Sequence, residues 1–201
     1  MTIGQLYGSA FSPYVRLCRL VAAKAGAEVG FRLADPFDPE YRAVNPLGKV
    51  PALKMAGDGP LLLDTGLICR TLIGEGRDLL PSARAERLQH EADIAVLTGV
   101  LDLGVALLME KRREADISAK WQQRRIDGIE RAYPLIEAAA PRAASSAPDG
   151  YLALMMVSAL QWLDFRLSEE LDWRAACPGA AKLVDSLAED PDVSATDPSR
   201  A

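Results

Sequence analysis

The sequence predicts two regions of different class: an α/β domain over residues 1–78, followed by an all-helical domain over 82–201. Three observations carry this. Strand and helix signals alternate up to Gly76. β signal almost ceases from Ser82 onward. Between them Leu79-Leu80-Pro81 forms a natural boundary.

Residues 2–7 read as a strand, and Gly8-Ser9-Ala10-Phe11 as a loop. Ser12-Pro13 is a helix start, with serine at the cap and proline at the first helical position. Leu17, Cys18, Val21 and Ala25 keep helical spacing, and Gly26 stops the helix. A second strand is predicted over 28–33, then an irregular stretch over 34–48 containing Pro36, Pro39 and Pro46. Two more strands, 51–55 and 61–64, flank the turn Gly57-Asp58-Gly59. A helix from Thr65 to about Ile73 ends at Gly74 and Gly76.

In the second region, helices are predicted over 82–113, 118–140 and 151–167, with a loop at 141–149. The helix over 151–167 is apolar throughout, as a central core helix is. Pro178-Gly179 opens a last helix ending near Glu189, and the tail after Pro191 reads as loose.

Composition narrows the function. The chain has 201 residues, 49% hydrophobic and 25% charged, with net charge −5. A negative balance disfavours nucleic acid and anionic membrane, which need basic patches. No signal-peptide pattern opens the chain, and no apolar run reaches the ~18 residues that span a bilayer. Cys18, Cys69 and Cys177 are odd in number and far apart, which fits reduced thiols in a cytoplasmic protein. With His90 the single histidine, a histidine-ligated metal site is not expected. His90 lies in the charged run Arg87 to Glu91 and reads as part of a solvated helix face.

Three segments carry candidate chemistry. The first is Ser9-Ala10-Phe11-Ser12-Pro13-Tyr14 at a strand-to-helix junction. Such a junction offers unpaired amides and the positive end of a helix, which suit an anion. A hydroxyl there adds a charge-assisted bond of ~1.5–3 kcal/mol. At ~1.4 kcal/mol per pKa unit, that lowers a bound thiol's pKa by roughly one to two. Ser12 also reads simply as a helix cap. The second segment is Asn45-Pro46-Leu47-Gly48-Lys49-Val50-Pro51-Ala52-Leu53. Proline opening a strand cannot join the ladder, and a cis Val50–Pro51 bond resolves this. The Val50 N–H and C=O then face outward, able to pair with a peptide-like ligand. The alternative is an ordinary loop before an edge strand. The third is Asp64-Thr65, between strand and helix, where Thr65 can cap. Its hydroxyl and N–H, with the Asp64 carboxylate, suit a ligand bearing both a carboxylate and an ammonium.

Together these segments resemble the cytosolic glutathione transferases, especially the bacterial serine-type members. Ala159 to Arg166 is similar to that family's central helix, and Pro178 to Val193 to its final helix. The resemblance implies a thioredoxin-like glutathione-binding domain followed by the helical one. It implies glutathione as cosubstrate and no metal. Val50, before Pro51, pairs with the cysteinyl backbone; Asp64 and Thr65 hold the γ-glutamyl end; Lys49 either assists at the glycyl carboxylate or is simply a solvated lysine. Either Ser12 or Ser9 hydrogen-bonds the thiolate, with Tyr7 a more distant candidate. Phe11 borders the site, and the electrophile's pocket comes from the second domain, with Leu103, Leu107, Leu108 and Met109 as candidates, although a leucine-rich helical face is more often core. The family also implies a homodimer, with Arg70 either at its interface or, the plainer reading, simply an exposed arginine.

Two departures from the family pattern stand out. No redox cysteine is present at position 12 or 15, where Ser12 and Val15 stand, so glutaredoxin-type disulfide reduction is not expected. The central helix lacks the family's capping box, with Gly150 and Ala153 at its two positions. The implied activity is attack of glutathione thiolate on a small hydrophobic electrophile or a peroxide, in detoxification. The alternative is a non-catalytic glutathione-binding or ligand-carrier protein, and a further one is a ligand-free structural domain.

Overall fold

The computed structural model describes residues 2–113, 118–145 and 149–200. Its contacts divide into two compact units: Met1–Leu79 together with Pro191–Ala201, and Leu80–Asp190. The last eleven residues thus group with the first unit, whereas the sequence placed them at the end of the helical domain.

The first unit is a four-stranded mixed sheet in the order β2-β1-β3-β4. Its strands are β1 (Gly4–Gly8), β2 (Val29–Leu33), β3 (Ala52–Met55) and β4 (Leu61–Leu62). β1 runs parallel to β2 and antiparallel to β3, and β3 is antiparallel to β4. Helix α1 (Pro13–Ala25) links β1 to β2 and packs on α3 (Thr65–Gly74). Leu6, Val15, Cys18, Leu20, Leu53, Ile68 and Leu72 form the core at 0% exposure. Strand end and helix start touch at Gly8. A Cβ there would lie 2.4 Å from Val15 Cγ2, so only glycine fits. The Cys18 and Cys69 thiols lie 3.8 Å apart, both buried and unbridged. Burial, then the neighbouring Cys69, pushes the Cys18 thiol well above its usual range.

Residues 34–48 are not wholly irregular. Asp38 caps a short helix, α2 (Pro39–Val44), accepting from the Glu40 N–H at 2.8 Å. Nor is the tail loose. Helix α9 (Pro191–Ala195) and a 3₁₀ turn (Pro198–Arg200) bury Val193 and Pro198. Arg16, 2% exposed, donates to Val193 O at 3.2 Å and Thr196 Oγ1 at 3.3 Å.

The second unit contains α4 (Arg84–Lys111), α5 (Ala119–Ser145), α6 (Tyr151–Leu167), α7 (Trp173–Ala176) and α8 (Pro178–Ser186). α6 is the core helix, buried at thirteen of its positions and packed on α4, α5 and α8. Its cap, Gly150, makes no side-chain capping bond, as the missing capping box implies. α5 passes through Pro134 and Pro141, so helix replaces the first part of the expected 141–149 loop, whose residues 146–148 lie outside those described. Among the described residues α4 alone is long and apolar enough to cross a membrane by length and composition. Asp93 and Asp102 interrupt it, which is why the sequence shows no unbroken apolar run of that length there. α4 packs against α5 and α6, and Asp93 takes a two-pronged bond from Arg142 of α5 at 2.7 and 2.8 Å.

His90 corrects another expectation. It is 5% exposed, not solvated, with its ring 5.7 Å from Tyr151 and its Nε2 lacking a hydrogen-bond partner among the described residues.

Candidate functional site

Sheet register gathers the three sequence segments. Tyr7 pairs with Ala52 across β1 and β3, and Leu53 with Leu62 across β3 and β4. Because both pairings are antiparallel, the end of β1, the start of β3 and the end of β4 share one sheet end. Residues 9–12, 49–51 and 63–65 therefore leave the sheet side by side.

At the first segment Ser12 is the N-cap of α1, and its hydroxyl accepts the Val15 N–H at 3.4 Å. The Ser9 hydroxyl accepts the Phe11 N–H at 3.3 Å, and the Ser9 carbonyl accepts the Ser12 N–H at 3.2 Å. This changes the expected chemistry. The amides of Phe11, Ser12 and Val15 are satisfied internally, and Pro13 has none, so these positions offer an incoming anion no N–H. The hydroxyl protons remain. A serine oxygen that accepts one bond still carries a donor, and neither serine donates to a protein acceptor among the described residues. Ser12 also stands at the positive end of a 13-residue helix. Phe11 beside them is 45% exposed.

At the second segment the Val50–Pro51 bond is cis, as the sequence suggested. The Lys49 side chain is exposed, while its carbonyl accepts from Tyr41 Oη at 2.5 Å and Asn45 Nδ2 at 2.6 Å. Asn45 Oδ1 accepts the Leu47 N–H at 3.0 Å, and Gly48, at φ 58°, closes the turn onto the Asn45 carbonyl. The Val50 N–H donates to no protein acceptor among the described residues.

At the third segment Asp64, not Thr65, caps α3, its Oδ1 accepting the Leu67 N–H at 2.8 Å. Aspartate reaches the N3 amide from the extended residue just outside the helix, and Thr65 becomes the first helical residue. The Thr65 and Gly66 N–H groups have no protein acceptor among the described residues. An exposed carboxylate thus stands beside two open amides at a helix N-terminus.

Sequence reasoning missed Tyr41 and Asn45, which are 4% and 0% exposed. Asn45 opens the second segment, but its role, like that of Tyr41, depends on the short helix α2 and the turn after it, which the sequence does not signal. An open cleft beside α2, lined by Tyr7, Arg32, Asp35, Asp38 and Tyr41 among others, holds none of the expected site residues except the remote candidate Tyr7. No cluster able to hold a metal ion occurs among the described residues.

Residues 6–76 match the family model for the glutathione S-transferase N-terminal domain. Solved structures extend the likeness to both units. A glutathione S-transferase from Methylobacillus flagellatus with glutathione bound is 26% identical, with TM-score 0.87, covering 96% of this chain and 98% of its own. A glutathione transferase family member from Pseudomonas fluorescens, also with glutathione, is 28% identical, with TM-score 0.88 and the same coverages. A glutathione S-transferase from Methylobacterium radiotolerans complexed with glutathione sulfonate is 27% identical, with TM-score 0.83, covering 96% and 94%. No curated protein matches the chain in sequence. The chain thus has glutathione-transferase architecture: a glutathione S-transferase N-terminal domain with its mixed sheet, then a mostly helical region.

Proposed function

We propose that this chain is a glutathione transferase of the bacterial serine type. It binds glutathione in its first unit and activates the thiol for attack on a small hydrophobic electrophile or a peroxide. The observation that carries this is the convergence of three segments at one sheet end, with unspent donors on each. Asp64 takes the γ-glutamyl ammonium, and the Thr65 hydroxyl and N–H take its carboxylate. Val50, next to Pro51, pairs with the cysteinyl main chain, and Lys49 approaches the glycyl carboxylate. Ser12 or Ser9 donates to the sulfur, favouring thiolate; Phe11 borders it. The serine is not a covalent nucleophile. Glutathione's thiol proton leaves to solvent, and its sulfur forms the new bond to carbon as the electrophile's leaving group departs with the bonding pair. With a peroxide the sulfur attacks one oxygen, and the O–O bond breaks to release an alcohol or water. A second glutathione then displaces water from the resulting sulfenic acid to give the disulfide. The similar structures crystallised with glutathione support this reading. We further propose that the protein works as a cytoplasmic homodimer in detoxification.

One observation favours a second reading, a glutathione-binding or carrier protein without turnover. With the Phe11, Ser12 and Val15 amides used internally, thiolate stabilisation rests on a hydroxyl and the helix end. Steady-state assays of Ser12→Ala and Ser9→Ala separate the two. Transferase action predicts that one variant raises the bound thiol's pKa by roughly one to two and slows conjugation about tenfold or more at neutral pH. Background turnover in wild type and both variants, with glutathione still bound, selects the carrier. Absence of calorimetric heat with glutathione removes both readings.

A further inference from the structure

The turn before β3 is held from one side by two buried donors. Tyr41 Oη and Asn45 Nδ2 converge on the Lys49 carbonyl. Asn45 is itself fixed, because its Oδ1 accepts the Leu47 N–H and its backbone carbonyl accepts the Gly48 N–H at 2.9 Å. Tyr41 is fixed through its ring, 6.1 Å from that of Tyr7 on β1. Burial raises the Tyr41 pKa above its ordinary value, so the phenol stays a donor at neutral pH.

The next amide follows from peptide planarity. In a trans peptide the C=O and the following N–H point to opposite sides of the chain. Turning the Lys49 carbonyl toward α2 therefore turns the Val50 N–H away from it. Val50 is half-buried, and its N–H meets no protein acceptor among the described residues. An amide in that state is open to a ligand's carbonyl or to water.

We propose that Tyr41 and Asn45 are positioning residues for the ligand's main chain: they clamp the Lys49–Val50 peptide so that the Val50 N–H is presented to the cysteinyl carbonyl of glutathione. The inference rests on the glutathione reading above, but goes beyond it, assigning a role to two buried residues behind the Lys49–Val50 peptide. The clamp sets affinity for the tripeptide's backbone; the serines act on its sulfur. The two effects therefore separate in experiment.

Tyr41→Phe removes one oxygen and keeps the ring. Calorimetry with glutathione should show binding about fivefold weaker, the scale of one lost hydrogen bond. KM for glutathione should rise by a similar factor, more than kcat falls, with the pH at which the bound thiol ionises unmoved. General loosening of the unit would move that pH as well. Amide hydrogen exchange on the unaltered protein gives a second measurement, in which glutathione should protect the Val50 N–H. Wild-type binding with unchanged affinity in Tyr41→Phe, or a Val50 amide equally protected without glutathione, overturns the clamp and leaves the site reading intact. Failure of the wild type to bind glutathione at all overturns both.

Discussion

His90 lies three residues before Asp93 on α4, among residues that are charged in sequence but point elsewhere on the helix. Successive residues turn about 100° around a helix axis, so its polar neighbours say nothing of its own face. That face is buried against Tyr151, and burial lowers the imidazole pKa despite the opposing pull of Glu91 and Asp93. Above about pH 6.5 the ring is neutral folded and unfolded, and stability carries no His90 term. Below it the unfolded chain takes up a proton that the folded chain refuses, so stability falls as pH falls, until the folded pKa is reached. The slope is at most ~1.4 kcal/mol per pH unit. Since His90 is the single histidine, His90→Asn should flatten urea-midpoint curves between pH 5 and 7 relative to wild type. Parallel curves for the two proteins would show that the ring is not held neutral.

At the scale of elements, legibility followed local punctuation. Ser12-Pro13 and Pro178-Gly179 mark helices that begin there, and the 151–167 apolar run is a helix to the residue. α2 was hidden because six residues are too few to show periodicity, and its three flanking or internal prolines looked like loop. The Asp64 cap was misassigned to Thr65 because both residue types cap and only geometry chooses. At the site, the residue types and their cluster were readable, but not the internal use of the Phe11, Ser12 and Val15 amides, which depends on turn dihedrals. A capping contact reached across elements is equally invisible in sequence. Glu137 of α5 accepts the Gly179 N–H at 2.9 and 3.0 Å and the Ala180 N–H at 3.1 Å, capping α8, whose own cap residue Cys177 makes no side-chain bond. Glu137→Ala should cost ~1–2 kcal/mol, lowering Tm by roughly 2–8 °C. Glu137→Gln keeps one acceptor oxygen and should recover part of that loss. Equal Tm for all three proteins would mean that α8 does not depend on this carboxylate.

At the scale of the whole chain, composition could not reveal that the first unit is discontinuous. Its last segment follows the entire helical unit in sequence and returns to α1. Arg16, one turn after Ser12, is the anchor. Burial lowers its pKa to about 10 against the pull of Asp197, so it remains a cation at neutral pH, held by Val193 O and Thr196 Oγ1. Lys24 at the other end of α1 pairs with Asp192 at 2.8 Å. The helix that presents Ser12 is thus tied down by residues nearly 180 positions later. Ending the chain after Asp190 takes the Val193 and Thr196 acceptors from the Arg16 guanidinium, two hydrogen bonds to a charged group at ~1.5–3 kcal/mol each. Against a total stability of ~5–15 kcal/mol, that is enough to loosen the unit at moderate temperature. Thr196→Val, which removes only one acceptor, should cost ~1 kcal/mol. Scanning calorimetry with and without glutathione checks the order: wild type melting highest, Thr196→Val slightly lower, the 1–190 chain lowest and with the smallest glutathione-induced shift. A 1–190 chain that melts like wild type and keeps its full shift would show that the first unit is complete without its returning end.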